Sequence, residues 1–275
     1  MRAVRWVVLV VLVVIAASCA APPPPPATGP ELRVMTFNIH HGEGPDGIVS
    51  LDRIAATIRA ADADVIGLQE VDRHFAERSS FVDQATYLAE ALEMDLVFGA
   101  NIDLDPLVVG QPRRQYGTAI LSRLPLTASG NTLLPRAPTS EQRGLLHASV
   151  TVEGTDVTVF VTHLQHDSPT ERLAQVNAIT AELDATGGNV VLLGDLNAEP
   201  GSPEIEHLVD TLSDAWTTGG FGPGYTFSSV LPFKRIDYVM SSDGLVARTA
   251  AVLTSDGSDH LPVVADVALP QPLPV

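Results

Sequence analysis

The chain contains 275 residues, of which 45% are hydrophobic and 18% are charged, and its formal net charge is −17. A chain of this length and composition can bury a sizeable core, most simply within one large domain. So acidic a protein repels a phosphate backbone, which disfavours a nucleic-acid enzyme unless a local basic groove or bridging metals override the charge.

The first residues have the pattern of an export signal. Arg2 and Arg5 precede an apolar run at residues 6–15, which is too short to span a bilayer comfortably, and small residues follow. We therefore predict a signal peptide over residues 1–18. Cys19, the only cysteine, excludes an internal disulfide and occupies the position of the acylated first residue in bacterial lipoproteins. An ordinary secretory signal with an incidental cysteine is the alternative.

Residues 19–30 are predicted to form the lipidation site and a Pro-rich linker, because five prolines follow one another at positions 22–26. Such a run favours a stiff polyproline spacer, which would hold the folded part off the outer face of the bacterial cell membrane. Secretion is the other outcome of the same export signal. Removing residues 1–18 takes away two arginines and leaves a net charge of −19.

Strands and helices alternate in the first half of the chain. The segment 32–39 has a strand pattern with Asn38 at its exit, and Ser50 is placed to cap a following helix. The run 65–72 indicates a buried strand that Glu70 is expected to end, either in water or against a positive group. A short helix around residues 87–92 and strands at 96–98 and 117–121 follow, with Arg113 and Arg114 in the irregular stretch between these strands.

Strand pairs continue in the second half. Predicted strands cover 126–134, 144–152 and 157–163, and a Gly-containing turn joins the last two. Ser168, Pro169 and Glu171 form a capping box that begins a helix, which Gly187 and Gly188 end. Further strands are expected at 190–195, 225–227, 235–240 and 263–267, and the Pro-rich tail at 270–275 is expected to be loose.

These patterns predict one domain over residues 31–269, because no internal repeat or heptad interrupts them. Neighbouring strands joined by short turns favour antiparallel pairing, while the buried strands need cover on both faces. We therefore predict an α/β (α+β) fold, a four-layer sandwich of two mostly antiparallel sheets flanked by helices.

Polar residues that are able to do chemistry recur where the predicted strands end. Each of them alone is explained as a turn former or a solvated side chain, but residues from separate strands can converge on one rim. Asp195 and Asn197 lie two apart, so their side chains point to the same face if the strand geometry persists, which suits a hard cation with phosphate oxygens. The recurring set is Asn38, Glu70, His163, Asp195, Asn197, Asp237, Asp259 and His260.

The ordered motifs resemble the endonuclease/exonuclease/phosphatase superfamily, which includes deoxyribonucleases, apurinic endonucleases, neutral sphingomyelinases and inositol polyphosphate 5-phosphatases. The resemblance covers residues 32–267 and implies the same two-sheet sandwich. The motifs are Thr36-Phe37-Asn38, Leu68-Gln69-Glu70-Val71, Tyr116-Gly117 before Ala119-Ile120-Leu121-Ser122, Thr162-His163-Leu164, Gly194-Asp195-Leu196-Asn197, Arg235-Ile236-Asp237-Tyr238 and Ser258-Asp259-His260.

The resemblance also implies roles for these residues. Glu70 is expected to be the principal Mg²⁺ carboxylate, with Asn38 near metal and phosphate and Asp259 a further candidate ligand. Mn²⁺ or Ca²⁺ would use similar oxygens. The remaining catalytic set would position and deprotonate the attacking water and stabilise the pentacovalent state, with Asp237 orienting His260 and the choice of base between Asp195 and His260 left open. That set is His163, Asp195, Asn197, Asp237 and His260.

Substrate contacts are less well defined by the motifs. Forked guanidinium donors suit a phosphate, although solvation at the surface is the alternative for any one arginine. The candidate substrate-binding residues are Arg113, Arg114, Tyr116 and Arg143, and the candidate subsite contacts are His40, His41 and His166.

We conclude from the sequence that the protein is an exported, lipid-anchored, divalent-metal-dependent phosphoesterase acting as a monomer on small or lipid-borne phosphate mono- or diesters. An extracellular endonuclease is the alternative within the same class of enzyme. A catalytically inactive binding module is disfavoured, because every expected acidic, amide and imidazole position is occupied.

Overall fold

The computed structural model describes residues 29–270. The predicted signal peptide, the predicted lipidation site at Cys19, most of the predicted linker and residues 271–275 of the predicted tail lie outside the described residues. Among residues 29–270, no helix combines the length and the apolar character that a membrane crossing requires.

Two β-sheets and five helices make up the described part of the chain. The strands are β1 (Glu31–Asn38), β2 (Val65–Arg73), β3 (Asp95–Leu104), β4 (Arg114–Ser122), β5 (Thr127–Leu133), β6 (Gly144–Val152), β7 (Thr155–His163), β8 (Val190–Asp195), β9 (Leu212–Asp214), β10 (Asp237–Ser242), β11 (Val246–Val252) and β12 (Val263–Ala268). The helices are α1 (Leu51–Ala61), α2 (Gln84–Leu92), α3 (Pro169–Thr186), α4 (Pro203–Val209) and α5 (Ala215–Gly219).

Each sheet has six strands, in the orders β11-β12-β1-β2-β4-β3 and β5-β6-β7-β8-β10-β9. One central pair in each sheet is parallel, β1 with β2 and β7 with β8, and the other pairs are antiparallel. The predicted sandwich is therefore confirmed, with sheets that are mixed and mostly antiparallel. Because parallel strands end at the same edge, the carboxyl ends of β1, β2, β7 and β8 define one end of the sandwich, which we call the site end.

The core has three layers of apolar contact. Side chains between the two sheets include Val34 and Val65 from one sheet and Val161 and Leu193 from the other. A second cluster packs α1 and α2 on the first sheet, and a third packs α3 and α4 on the second. All three clusters come from residues 32–269, so the described segment contains its own hydrophobic core.

Gly67 in β2 allows the close approach of the two sheets. A Cβ atom at this position would lie 2.7 Å from Val161 Cγ2 and 3.1 Å from Leu193 Cβ. Even an alanine would therefore force the facing strands apart, in an interior that is normally packed as densely as a crystal.

Several elements differ from those predicted. The strand predicted at 225–227 is wrong, because only Phe227 makes isolated bridges, to Lys234 and His260. The unpredicted helix α4 begins after Ser202 without a side-chain capping bond, whereas Ser168 accepts a hydrogen bond from the Glu171 amide at the start of α3. Strands β9 and β11 and the short helix α5 are the other elements that were not predicted. The Ala-rich, half-exposed residues of β11 carry little strand signal.

Candidate functional site

The order and direction of the strands bring the predicted site residues together at the site end. Asn38 closes β1, His163 closes β7 and Asp195 closes β8, so the parallel strands deliver three side chains to one edge of the fold. Asp237 opens β10, which runs antiparallel to β8 and pairs with it directly at Asp195. His260 lies in the segment before β12, which pairs antiparallel with β1.

Glu70 does not end its strand as predicted, because β2 continues to Arg73. The register with β4 shifts between Leu68 and Val71, and Glu70 has a φ of 59°. This is a β-bulge, which breaks the alternation of side chains and re-aims one of them. Asn38 Nδ2 donates to Glu70 Oε1 at 3.0 Å and to Asp195 Oδ2 at 3.0 Å, so this amide joins the two carboxylates.

Asn197 reaches the site by a tight turn and not by continued strand geometry. It has a φ of 48°, so the sequence argument from side chains two apart on an extended strand is wrong. Its backbone amide donates to Asp195 Oδ1 at 2.9 Å. Its side-chain amide lies 3.0 Å from His163 Nε2, and Nδ2 donates to the carbonyl oxygen of Leu164 at 3.0 Å.

A buried carboxylate–imidazole–carboxylate cluster forms the centre of the site. His260 Nδ1 is 2.9 Å from Asp237 Oδ2, and His260 Nε2 is 3.6 Å from Asp195 Oδ2. Burial, with the nearby charge of Asp237, raises the pKa of Asp195 to about 7. Burial acts to lower the pKa of His260, but the charges of Asp237 and Asp195 outweigh it and raise the pKa to about 10.

The cluster makes the stability of the domain depend on pH. Because the folded pKa of His260 lies above its unfolded value near 6.5, its contribution is complete below that value and is lost as pH rises toward 10. We expect the thermal midpoint in EDTA to fall between pH 7 and pH 10, and His260→Gln to flatten this slope. Melting curves of the wild type and the variant between pH 7 and pH 10 check this expectation. If the thermal midpoint falls equally with pH in both proteins, His260 is not the group responsible.

Arg143 fixes the state of His163. Arg143 is buried, and its Nη1 lies 2.9 Å from His163 Nδ1 and 2.6 Å from Glu141 Oε1. Neither a guanidinium nor an amide nitrogen accepts a hydrogen bond, so both ring nitrogens of His163 face donors, with Arg143 Nη1 at Nδ1 and Asn197 Nδ2 at Nε2. Burial and the charge of Arg143 lower the pKa of His163 well below its usual value. His163 is therefore a neutral imidazole, with Nε2 3.5 Å from Asp195 Oδ2.

We expect Arg143→Lys to lower kcat by about 10–100-fold with KM changed less than about twofold, as for other residues that orient a catalytic imidazole. A lysine keeps the charge beside Glu141, but its ammonium cannot hold Glu141, His163 and Gln165 at once as the guanidinium does. Steady-state kinetics separate the two parameters. A raised KM with kcat intact would instead support the substrate-binding role predicted for Arg143.

The donor chemistry around Glu70 fits a hard divalent cation. One ligand atom from each of His40, His41 and Glu70 lies within 4.8 Å of the others, as holds for Asp195, Asp237 and His260. Asp237 Oδ1 is buried without a hydrogen-bond partner among the described residues, which leaves a carboxylate oxygen for a bound group. The predicted ligand Asp259 lies at the edge of this region, with Oδ1 3.7 Å from His40 Nδ1. Carboxylate and amide oxygens are what Mg²⁺ prefers.

A cavity of about 270 Å³ lies directly beside Glu70. It brings together three of the residues predicted to contact substrate, Tyr116, Arg143 and His166. Burial, together with the charge of Glu70, raises the pKa of Tyr116 well above its usual value, so its phenol keeps its hydrogen. No sequence motif marks the other polar and aromatic residues of this lining, which are Phe75, Arg78 and Glu141.

Arg113 and Arg114 do not line this cavity. Arg113 is exposed and pairs with Asp103 and Asp105, at 2.6 and 2.7 Å. Arg114 donates to the carbonyl oxygen of Asp105 and borders a separate, largely apolar groove. Neither arginine therefore belongs to the group of predicted site residues that the fold brings together around Glu70.

Comparisons with known proteins agree with this architecture. The sequence profile of the family described as Endonuclease/Exonuclease/phosphatase matches residues 35–260. Among curated proteins, Protein cwh43 of Schizosaccharomyces pombe is 29% identical over 159 residues, which is 58% of this chain. The match spans only 15% of that longer protein.

Solved structures show the same fold. An endonuclease/exonuclease/phosphatase from Beutenbergia cavernae is 32% identical, with a TM-score of 0.75 over 88% of this chain and 72% of that one. A mannosyl-6-phosphatase of Bacteroides thetaiotaomicron, 18% identical, matches in fold with a TM-score of 0.72 over 86% of this chain and 100% of that one. The profile match covers most of the chain, and the chain therefore belongs to the endonuclease/exonuclease/phosphatase family, whose members are hydrolases acting on phosphate esters.

Proposed function

We propose that the protein is a divalent-metal-dependent phosphoesterase that hydrolyses small or lipid-borne phosphate mono- or diesters by attack of water. One observation carries the proposal, the convergence of acid, amide and imidazole groups at the site end. Asn38 joins the carboxylates of Glu70 and Asp195, while His163 approaches Asp195 from β7 and His260 approaches it from the segment before β12. Buried groups with strongly shifted pKa values cluster at functional sites.

The protonation state of each side chain determines its role in the proposed reaction. His260, held as a cation by Asp237 and Asp195, donates a hydrogen bond to a phosphoryl oxygen and cannot accept a proton near neutral pH. Asp195, with a pKa of about 7, is the group able to take the proton of the attacking water. His163 lies beside it as a neutral imidazole. The donor on His260 stabilises the charge that grows on the phosphoryl oxygens as the ester bond breaks.

In this proposal Glu70 would hold the metal, with Asn38 beside it through the hydrogen bond from Nδ2 to Glu70 Oε1. Mg²⁺, Mn²⁺ or Ca²⁺ would each suit such a carboxylate. A bound divalent cation supplies charge neutralisation at the phosphoryl group and lowers the pKa of a coordinated water. Asn197 contributes no charge and holds the turn that presents Asp195, through its backbone bond to Oδ1.

The cellular setting rests on the sequence. Export and acylation of Cys19 would place a monomeric domain on the outer face of a bacterial membrane. An extracellular endonuclease remains the second candidate, since the same residues cleave phosphodiesters. The net charge of −17 weighs against it, because nucleic-acid binding depends on cationic contacts.

The test is a substrate panel with the protein from residue 29 on, which contains the whole core. Duplex DNA, sphingomyelin, phosphoinositides and generic phosphate mono- and diesters are assayed with Mg²⁺, Mn²⁺ and EDTA. We expect turnover of small or lipid esters that EDTA abolishes, with DNA left intact. Efficient DNA cleavage would support the endonuclease, and no turnover of any ester would support the inactive module.

A further inference from the structure

Exposed large apolar side chains concentrate at the site end. The loops that leave or enter strands at this end carry most of them, and β3 and β5 finish there with exposed Leu104 and Leu133. Only four exposed large apolar residues of the described chain lie elsewhere: Tyr87, Leu173 and Val209 on helices α2, α3 and α4, and Val246 at the start of β11. The loops that carry the others span residues 39–50, 74–83, 105–113 and 220–236.

The side chains at the loop tips are almost fully open to water. Val109 is 99% exposed and Phe221 is 97% exposed, and Leu231, at 76%, lies in the same long loop as Phe221. Single exposed apolar residues are ordinary on a protein surface, but tips grouped around one site are not. We call these three residues, with Leu107 and Val230, the apolar tips.

An apolar groove lies among these loops. It measures about 400 Å³ and is bounded by Phe81 from one loop and by Leu107 and Val108 from another. His74 and Arg114 border it, and Phe75, next to His74, and Tyr116, two residues after Arg114, line the cavity beside Glu70. The groove and the cavity therefore lie next to each other at the ends of β2 and β4. One ligand can place its apolar part in the groove and its phosphate in the cavity.

We propose that the site end is a membrane-docking surface, where the apolar tips insert into a zwitterionic lipid bilayer and present the site to a lipid-borne phosphate ester. The groove would take part of the hydrocarbon of that lipid. This identification of the substrate rests on the proposed phosphoesterase function, whereas the docking itself does not. Insertion of separate aliphatic and aromatic tips is how peripheral proteins bury apolar area at a membrane interface.

Charge and shape favour a bilayer over a protein partner. The apolar tips come from two separate loops, residues 105–113 and 220–236, and an apolar groove borders the first of them. A net charge of −17 opposes an anionic surface and leaves a zwitterionic one. Lys234, the only lysine of the chain, lies at this end with its ammonium 5.4 Å from the Phe233 ring centre, an arrangement suited to the bilayer interface.

Flotation with phosphatidylcholine vesicles tests docking without any turnover. The protein from residue 29 on, in EDTA, is expected to float with the vesicles and to remain bound at about 1 M salt, because apolar insertion is not screened. We expect Val109→Asp with Leu231→Asp to weaken partition at least about tenfold. The matched control, Leu173→Asp with Val246→Asp, adds the same charge at exposed apolar positions away from the site end and is expected to float like the wild type.

Each outcome has a distinct meaning. Wild type that hydrolyses a water-soluble phosphate ester but stays out of the vesicle fraction would overturn the docking proposal and leave the function standing. Protein that floats but hydrolyses no ester would overturn the function and leave the docking standing. Light scattering tests for a protein contact instead. If the wild type is a dimer that does not bind vesicles, and the Val109/Leu231 variant is a monomer, the surface is a contact between protein chains and the proposal is overturned.

Discussion

Asp195→Asn is expected to lower kcat by about 10³-fold, within the range that loss of a general base produces. The amide cannot take the proton of the attacking water, but it occupies the same space between Asn38 and Asn197. Steady-state turnover of the best ester from the panel, measured between pH 6 and 9, checks this. Wild-type turnover by the variant would reassign the base and contradict the mechanism.

The same substitution should not harm the fold, which separates catalysis from stability. Burial and the charge of Asp237 disfavour the ionised Asp195, so a neutral amide removes an unfavourable charge. Its NH2 group must face one of the donors Asn38 Nδ2 and Asn197 N, which offsets this gain, so the thermal midpoint at pH 8 is expected to stay about the same. Asp214→Asn is the matched control, because Asp214 is also a buried carboxylate and pairs with Arg235 at 2.7 Å. We expect that variant to lose stability and keep kcat, the opposite pattern.

Glu70→Gln is expected to abolish the response of the protein to divalent metal and to lower kcat by at least about 10²-fold, as loss of a metal carboxylate would. A ligand that binds only the folded state raises the melting temperature as its concentration rises. The wild type should therefore show a thermal shift with Mg²⁺ or Mn²⁺, and the variant should show none. Both proteins are compared in metal titrations after treatment with EDTA.

Glu141→Gln is the matched control for Glu70. Glu141 lines the same cavity and is also partly buried, and its burial raises its pKa while Arg143 opposes the shift. If Glu141 is a wall of the subsite and not a metal ligand, its variant keeps the thermal shift and changes KM for substrate. An unchanged metal response in the Glu70 variant would move the metal to another cluster, of which His40 and His41 are part.

Site residues could be predicted from the sequence where a polar side chain directly follows an apolar strand. Four consecutive apolar residues before Gly194 predict a buried strand, and the structure places Asp195 where that strand stops. The strand ends indicated that residues from separate strands can converge on one rim, but the parallel pairs that bring Asn38, His163 and Asp195 to one edge are known only from the structure. The sandwich of mostly antiparallel sheets followed from the same pattern and is confirmed.

Departures from ideal geometry could not be predicted in this way. The bulge at Glu70 and the turn at Asn197 both use positive φ values at residues other than glycine, which no local sequence signal specifies. The partnership of Arg143 with His163 depends on the register between β6 and β7, so the sequence indicated a basic residue without its partner. Arg113 was predicted to bind phosphate for the same reason, but its guanidinium pairs with the nearby Asp103 and Asp105.

The direction of β1 has a consequence for a tethered domain. The strand starts beside the chain's exit, where the Leu269 amide donates to the Pro30 carbonyl oxygen, and it ends at Asn38 in the site. The start of β1 and the site therefore lie at opposite ends of this strand, about 26 Å apart along eight strand residues. An anchor at Cys19, as predicted from the sequence, would therefore enter the domain at the pole that faces away from the site.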